Sequence, residues 1–296
     1  MNKHNQPNFM IIGAMKAATT SLYTYLIQHP EVFMSSIKEP KFFNNLAKGS
    51  KLNLEGKGFK KISNFDQYYS LFNEVKNEVA IGEASPSYLF DEKCAELIYK
   101  YLPETKIIAI LRQPIDRAYS NFLHARRSGK EKESSFELAF AETGNYIDEK
   151  QHFYKEKGFY TEQLDRYYKL FPSKNIKILL FEDVVKDPIK TSKEVFDFLN
   201  VDSNFIPEIK IQNKSGVPKG VLGWILMQAR YYNLLPEIRL SSYIPDFVIN
   251  CIYNQVYKAP KKLDSDLKNR LTHKYYKKEI NKLEGLLSRD LNHWLS

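Results

Sequence analysis

Cysteine is nearly absent from this chain: Cys94 and Cys251 are the two among 296 residues, and they lie far apart. That excludes a disulfide framework and a cysteine-based metal site, and it fits a reducing compartment. Long apolar runs are missing as well. No stretch approaches the roughly 20 apolar residues of a membrane-spanning helix. The opening residues Met1–Asn8 are polar and only a few apolar residues follow, a pattern of neither signal peptide nor anchor. There is no internal repeat and no low-complexity tract. The 44 Lys and Arg are scattered rather than massed into an arm, and no nucleic-acid module is recognisable, so no nucleic-acid partner is expected.

What is present is a positive balance. Against 35 acidic residues the formal charge is +9, which suits a polyanionic small molecule, an acidic polysaccharide or an anionic membrane surface and selects none of them. The length suits one α/β domain with appended helices. Short apolar runs at Phe9–Ile12, Glu78–Gly82, Lys106–Leu111 and Ile176–Phe181 read as strands. Helical stretches alternate with them at Thr19–Gln28, Asp91–Tyr101, Ile115–Arg127, Phe136–Asn145, Phe159–Phe171 and Pro188–Leu199. Such alternation predicts a central parallel sheet flanked by helices. Asp187-Pro188 supplies a cap and a first-turn proline for the last of these helices. Lys48–Lys61, rich in Lys, Gly and Asn, reads as a loop.

Residues 8–20 carry the most chemistry. The run Phe9–Ile12 stops at Gly13, a loop of small residues with Lys16 follows, and Thr19-Thr20-Ser21 opens a helix. Strand, small-residue loop and helix N-terminus bind phosphate, because the first helical N–H groups lack intrahelical partners and the helix dipole adds to their pull. A nucleotide-triphosphate loop would place its lysine after a second glycine. Here Ala17 and Ala18 follow Lys16, so the Walker pattern is absent.

Further blocks follow in order: Lys38-Glu39-Pro40-Lys41-Phe42-Phe43, then Gly82-Glu83-Ala84-Ser85-Pro86-Ser87-Tyr88, then Leu111-Arg112-Gln113-Pro114 running to Arg117-Ala118-Tyr119-Ser120. With the early loop, this set resembles the carbohydrate-type, heparan-sulfate-type sulfotransferases and their bacterial relatives, from Ile11 to Trp294. The resemblance implies a fold similar to the P-loop nucleotide kinases. It implies transfer of a sulfuryl group from 3′-phosphoadenosine 5′-phosphosulfate (PAPS) to a hydroxyl or amine, without a metal or a covalent enzyme intermediate. A carbohydrate or glycolipid acceptor is expected, and oligomeric state is left open. Animal relatives are mostly tethered in the Golgi; this chain shows no tether, and a cytoplasmic, bacterial protein is expected.

The resemblance also assigns roles. Gly13, Lys16, Ala17, Ala18, Thr19 and Thr20 would hold the 5′-phosphosulfate, with Lys16 at the leaving phosphate oxygen. Glu39 would take the acceptor proton; Pro40 is expected to keep it extended, and Phe42-Phe43 to desolvate it. Lys38 and Lys41 read as anion ligands or solvated cations. Arg112 and Ser120 would hold the 3′-phosphate, since a guanidinium meets phosphate bidentately. Arg117 reads as a surface or salt-bridging residue. His124, four residues after Ser120 on the same helix face, is an acceptor-side or structural residue. Ala84 stands where several heparan enzymes carry a lysine, which weakens a heparan-like acceptor. Lys214 and Lys219, in Asn213–Gly220, would add cations to the donor phosphates. Tyr160 falls where relatives place a cleft residue, though a core role suits it better.

Beyond Val217 the character changes. Val221–Tyr257 is dense in Leu, Ile, Tyr and Trp, with Pro236 and Pro245. It reads as amphipathic helices packed on the core, with a membrane-facing surface as the alternative. Asp264–Ser288 keeps Leu267, Leu271, Tyr275, Ile280, Leu283 and Leu287 at helical spacing and reads as one closing helix. The whole is expected to be a single domain, an α/β core over 8–216 and a helical extension over 217–296. Two other functions compete: a nucleotide or small-molecule kinase, and a non-catalytic basic protein that binds glycans or membrane.

Overall fold

The computed structural model describes residues 6–49, 62–141, 153–209, 217–220, 223, 225, 257–258 and 261–296. Lys214 and nearly all of Val221–Tyr257 lie outside the described residues. By packing, the chain forms two compact units, one of residues 1–112, 160–212 and 281–290, the other of 113–159, 213–280 and 291–296.

The first unit is built on a parallel sheet of five strands. Its elements run β1 (Phe9–Gly13), α1 (Thr19–Leu26), β2 (Val32–Met34), α2 (Phe42–Ala47), α3 (Phe65–Ser70), β3 (Ala80–Ala84), α4 (Cys94–Tyr101) and β4 (Lys106–Leu111). In the second unit α5 (Pro114–Arg127) and α6 (Phe136–Ala141) follow. The chain then returns to the first as α7 (Tyr160–Tyr168), β5 (Ile176–Leu180), α8 (Phe181–Lys186) and α9 (Pro188–Leu199). Strand order is β2-β3-β1-β4-β5. β1 and β3 are buried at every position, which is why β1 reads as a continuous apolar run and β3 departs from one only at Glu83. Sheet packing leaves no room for a side chain at Gly82: a Cβ there would fall 2.3 Å from the Phe9 ring.

Chain order reverses beside β1, with β3 on one flank and β4 on the other. Ligands in open parallel sheets bind outside the carboxyl ends of the strands at such a reversal. Those ends are Gly13, Ala84 and Leu111, so three of the sequence blocks meet there by topology.

Among the described residues, the second unit is helical apart from a short antiparallel pair, β6 (Val217–Pro218) with β7 (Tyr257–Lys258). α5 is capped by Gln113, whose side chain accepts from the Asp116 amide and donates to Thr272 Oγ1 at 2.8 Å and the Trp294 carbonyl at 3.2 Å. Phe122, Phe136, Phe140 and Tyr154 form a ring cluster around it. Arg117 is not at the surface, as its sequence suggested: it is fully buried and donates to the Tyr154 carbonyl. Its spacing on α5 put it with Ile115, Ala118 and Phe122 on the packed face, and that outweighed its charge.

Most expected elements form, with altered ends. The third strand begins at Ala80 rather than Glu78 and runs on to Ala84, and the fifth stops at Leu180 because Phe181 starts α8. Pro188–Leu199 forms as expected, with Asp187 accepting from the Lys190 amide. The expected closing helix is two, Ser265–Tyr275 and Lys277–Leu287, broken at Tyr276, a fully buried residue whose hydroxyl donates to the Lys155 carbonyl. The short elements β2, α2, α3 and α8 were not legible. Three or six residues carry too little periodicity to register.

Candidate functional site

The small-residue loop between β1 and α1 forms as the sequence suggested, and its backbone is the unusual part. Lys16 and Ala18 both take left-handed conformations, with φ of 70° and 62°. For residues with a Cβ this costs on the order of 1 kcal/mol each, and such strain clusters at ligand sites. Gly13 is required for space: a Cβ there would come 2.6 Å from Leu89 Cβ. The loop is tied back by the Ala14 amide to the Ile110 carbonyl at 2.7 Å and the Ala17 amide to Ala14 at 3.2 Å. α1 then starts from Ala18, which has no side-chain acceptor, and no acidic residue lies in the first turn. Its leading amides therefore have no side-chain cap at Ala18, and its positive dipole end has no acid in the first turn. An anion with several oxygens fits that cradle.

Arg112 closes one side of the loop. Nη1 donates to the Lys16 carbonyl at 3.0 Å, and the guanidinium lies 4.2 Å from the centre of the Phe181 ring. Its own carbonyl accepts from the hydroxyl of Tyr160, at 2.8 Å. Tyr160 is thus a buried residue that fixes Arg112 rather than one lining a cleft. On another side Lys38 Nζ donates to Thr20 Oγ1 at 2.8 Å, which joins the second block to the first.

Glu39 sits between two ammonium groups, 3.6 Å from Lys38 Nζ and 3.6 Å from Lys41 Nζ. Two expectations about it are corrected. Its side chain keeps 36% exposure, because Phe42 and Phe43 turn away, Phe42 to stack on Tyr68 and Phe43 to meet Tyr88 edge-on. Nor is its backbone extended: φ is 58°, and Lys41 follows at 53°. The preference imposed by Pro40 is overruled by hydrogen bonds onto the end of β3, from the Glu39 amide to the Ala84 carbonyl at 3.1 Å and from the Lys41 amide to Ser85 Oγ at 3.1 Å.

Beneath this turn lies a group that sequence reasoning missed. Glu83, in the middle of the third block, is fully buried, and its carboxyl accepts from Tyr68 at 2.9 Å, Tyr88 at 2.8 Å and Ser85 at 2.7 Å. Burial pushes its pKa up to about 7; the three hydroxyls pull it back down, and the charge on Glu39 adds to the rise. The available signal was a lone carboxylate within an otherwise apolar strand, Ala-Ile-Gly-Glu-Ala.

In the second unit, Ser120 is half-buried on α5, His124 is exposed one turn further along, and Lys219 is exposed beside β6. Each is placed within its own unit, whereas Gly13–Thr20, Glu39 and Arg112 belong to the first. Lys214 lies outside the described residues. Among the described residues no His, Cys, Asp and Glu cluster could hold a metal ion, and no helix is long and apolar enough to cross a membrane.

A parallel sheet with a small-residue loop and an uncapped helix start at its reversal point has the form common to nucleotide- and phosphate-binding α/β folds. Residues 6–218 match the sulfotransferase domain, well over half of the chain, and the protein belongs to that family. A solved sulfotransferase from Alicyclobacillus acidocaldarius superposes with a TM-score of 0.75 and 28% identity, over 98% of this chain and 99% of that one. Among curated relatives, the membrane-associated sulfotransferase kil1 of Dictyostelium discoideum is 26% identical over 70% of this chain. The mouse bifunctional heparan sulfate N-deacetylase/N-sulfotransferase 4 is 27% identical over 67%, and mouse carbohydrate sulfotransferase 15 is 26% identical over 66%. The matched regions cover 59%, 23% and 44% of those relatives' own lengths.

Proposed function

We propose that the protein is a PAPS-dependent sulfotransferase acting on a hydroxyl or amine of a carbohydrate or glycolipid. The single observation that carries this reading is the convergence of Lys16, Thr20, Lys38 and Arg112 on one uncapped helix start, beside a carboxylate held on a strained turn. Membership of the family and the names of its relatives support the donor and the acceptor class.

In sulfuryl transfer an S–O bond to the acceptor forms as the S–O bond to phosphate breaks, and charge grows on the departing phosphate oxygen. Lys16 and the amides of Ala18–Thr20 neutralise that charge; preorganised donors of this kind supply the largest share of such catalysis. Glu39 receives the proton lost by the acceptor, with the flanking Lys38 and Lys41 holding it oriented. Arg112 takes the 3′-phosphate of the donor; the family resemblance of the sequence, rather than any geometry, adds Ser120, Lys214 and Lys219 as donor ligands and His124 on the acceptor side.

Thermal shift separates this reading from a kinase. Adenosine 3′,5′-bisphosphate at about 100 times its dissociation constant adds about 2.7 kcal/mol of stability, and ATP with Mg²⁺ is expected to add none. The reverse result transfers the case to the kinase, and no shift with either supports the non-catalytic binding protein. Arg112→Ala is expected to weaken bisphosphate binding roughly tenfold or more. Glu39→Gln should leave binding intact and lower turnover by about 10²–10⁴-fold, measured with sulfur-labelled donor on cell-envelope glycans and lipids. An active Glu39→Gln variant rejects the base assignment.

A further inference from the structure

The turn that presents Glu39 has two left-handed residues and a helix, α2, whose N-cap Lys41 makes no side-chain cap hydrogen bond. Something else must hold the leading amides. The Lys41 amide donates to Ser85 Oγ at 3.1 Å, and the Phe43 amide donates to the Tyr88 hydroxyl at 3.3 Å. Both hydroxyls in turn direct their own protons to the buried carboxyl of Glu83. A hydroxyl has one proton to give, so a partner that takes that proton leaves its lone pairs for an amide. Glu83 therefore caps α2 by proxy, at a depth where Glu39 itself does not reach.

We propose that Glu83 is a positioning residue for the transfer reaction: acting through Ser85 and Tyr88, it locks the strained turn that presents Glu39. This rests on the sulfotransferase reading for what Glu39 does, but not for how the turn is held. The titratable groups acting on Glu83 are Tyr68 from α3, Tyr88 from the turn after β3, and Glu39 from the turn before α2, which is itself paired with Lys38 and Lys41. As a carboxylate Glu83 accepts from all three hydroxyls. Protonated, it must donate to one of them, leaving one hydroxyl proton without its acceptor and the relay disordered. The lock is thus tightest when Glu83 is ionised, and its ionisation falls near neutral pH.

The full-length chain and its Ser85→Ala, Tyr88→Phe and Glu83→Gln variants test this through amide hydrogen exchange, bisphosphate calorimetry and labelled-sulfuryl transfer. In the wild type, protection of the Lys41 and Phe43 amides, corrected for intrinsic exchange, should increase as pH rises through about 7. Ser85→Ala should lower protection at Lys41, Tyr88→Phe at Phe43, and Glu83→Gln should flatten the pH dependence at both. Bisphosphate affinity should stay within about twofold, while kcat falls about ten- to a hundredfold with donor KM little changed, the cost of a slightly misplaced base. Protection unaltered in the Ser85→Ala and Tyr88→Phe variants overturns the relay even if Glu83→Gln fails to fold. A pH-independent wild type overturns the role of the charge. A wild type that neither binds the bisphosphate nor transfers sulfate removes the sulfotransferase reading instead, and the exchange data still decide whether Glu83 holds the turn.

Discussion

Two helices of the sheet-bearing unit begin in opposite ways. α9 starts at Asp187, whose carboxylate accepts from the Lys190 amide, with Pro188 in the first turn and Asn200 closing the far end in a left-handed conformation. α1 starts at Ala18, left-handed itself, with no side-chain acceptor and no first-turn acid. Both helices face the same requirement, that their leading amides find acceptors. α9 meets it from its own sequence. α1 leaves it open, at a cost in strain, just beyond the carboxyl end of β1. The contrast shows how a functional helix start is told from a structural one: by the acceptor that is missing.

Moving a cap to the wrong helix should have the largest effect. Ala18→Asp places a carboxylate where an anion is proposed to bind, in a left-handed position that Asp tolerates. Like-charge juxtaposition of this kind costs several kcal/mol. Bisphosphate binding should fall beyond the reach of calorimetry while the melting temperature holds or rises. Retained binding would mean that the start of α1 is not the anion site.

A second contrast is between carboxylates, the Asp187 cap and the buried Glu83. The folded-state pKa of Glu83, about 7, lies above its ordinary value of 4.5. The stability it contributes is therefore fully present below about pH 4.5 and is lost as pH rises through 7. A shift of that size corresponds to roughly 3 kcal/mol. Relative to Glu83→Gln, the wild type should lose about that much between pH 4.5 and 8, as read by urea denaturation at several pH values. Equal slopes for the two proteins would show that burial of Glu83 is relieved in solution. The ionised form that the turn is proposed to need is thus the form that weakens the fold.

Smallest should be Asp187→Ala, about 1 kcal/mol of stability by loss of one cap, with bisphosphate affinity unchanged. A binding defect there would blur the distinction between the two helix starts.

The legibility of the molecule follows the range of the forces involved. The β1 loop, the Arg112 strand end and the Asp187 cap could be read because each is set by neighbours within a few residues. β2, α2 and α3 could not, since they are short and form only against partners distant in sequence. Arg117 was misread because charge predicts exposure for an isolated residue, while helix phase had already placed it on the packed face of α5. Glu39 was misread as to its conformation, because Pro40 acts locally and Ala84 and Ser85 act from across the sheet.

Residue order alone determined that a parallel sheet would form and that its first turn would suit an anion, for hydrophobic runs and a small-residue loop opening a helix are written locally. Folding decided that Lys38 reaches Thr20, that Arg112 rests on the Lys16 carbonyl, and that a carboxyl in the third strand holds the turn of the second block. Those contacts join residues tens of positions apart, and a hydrogen bond across such a distance depends on which strands become neighbours, which no local pattern specifies.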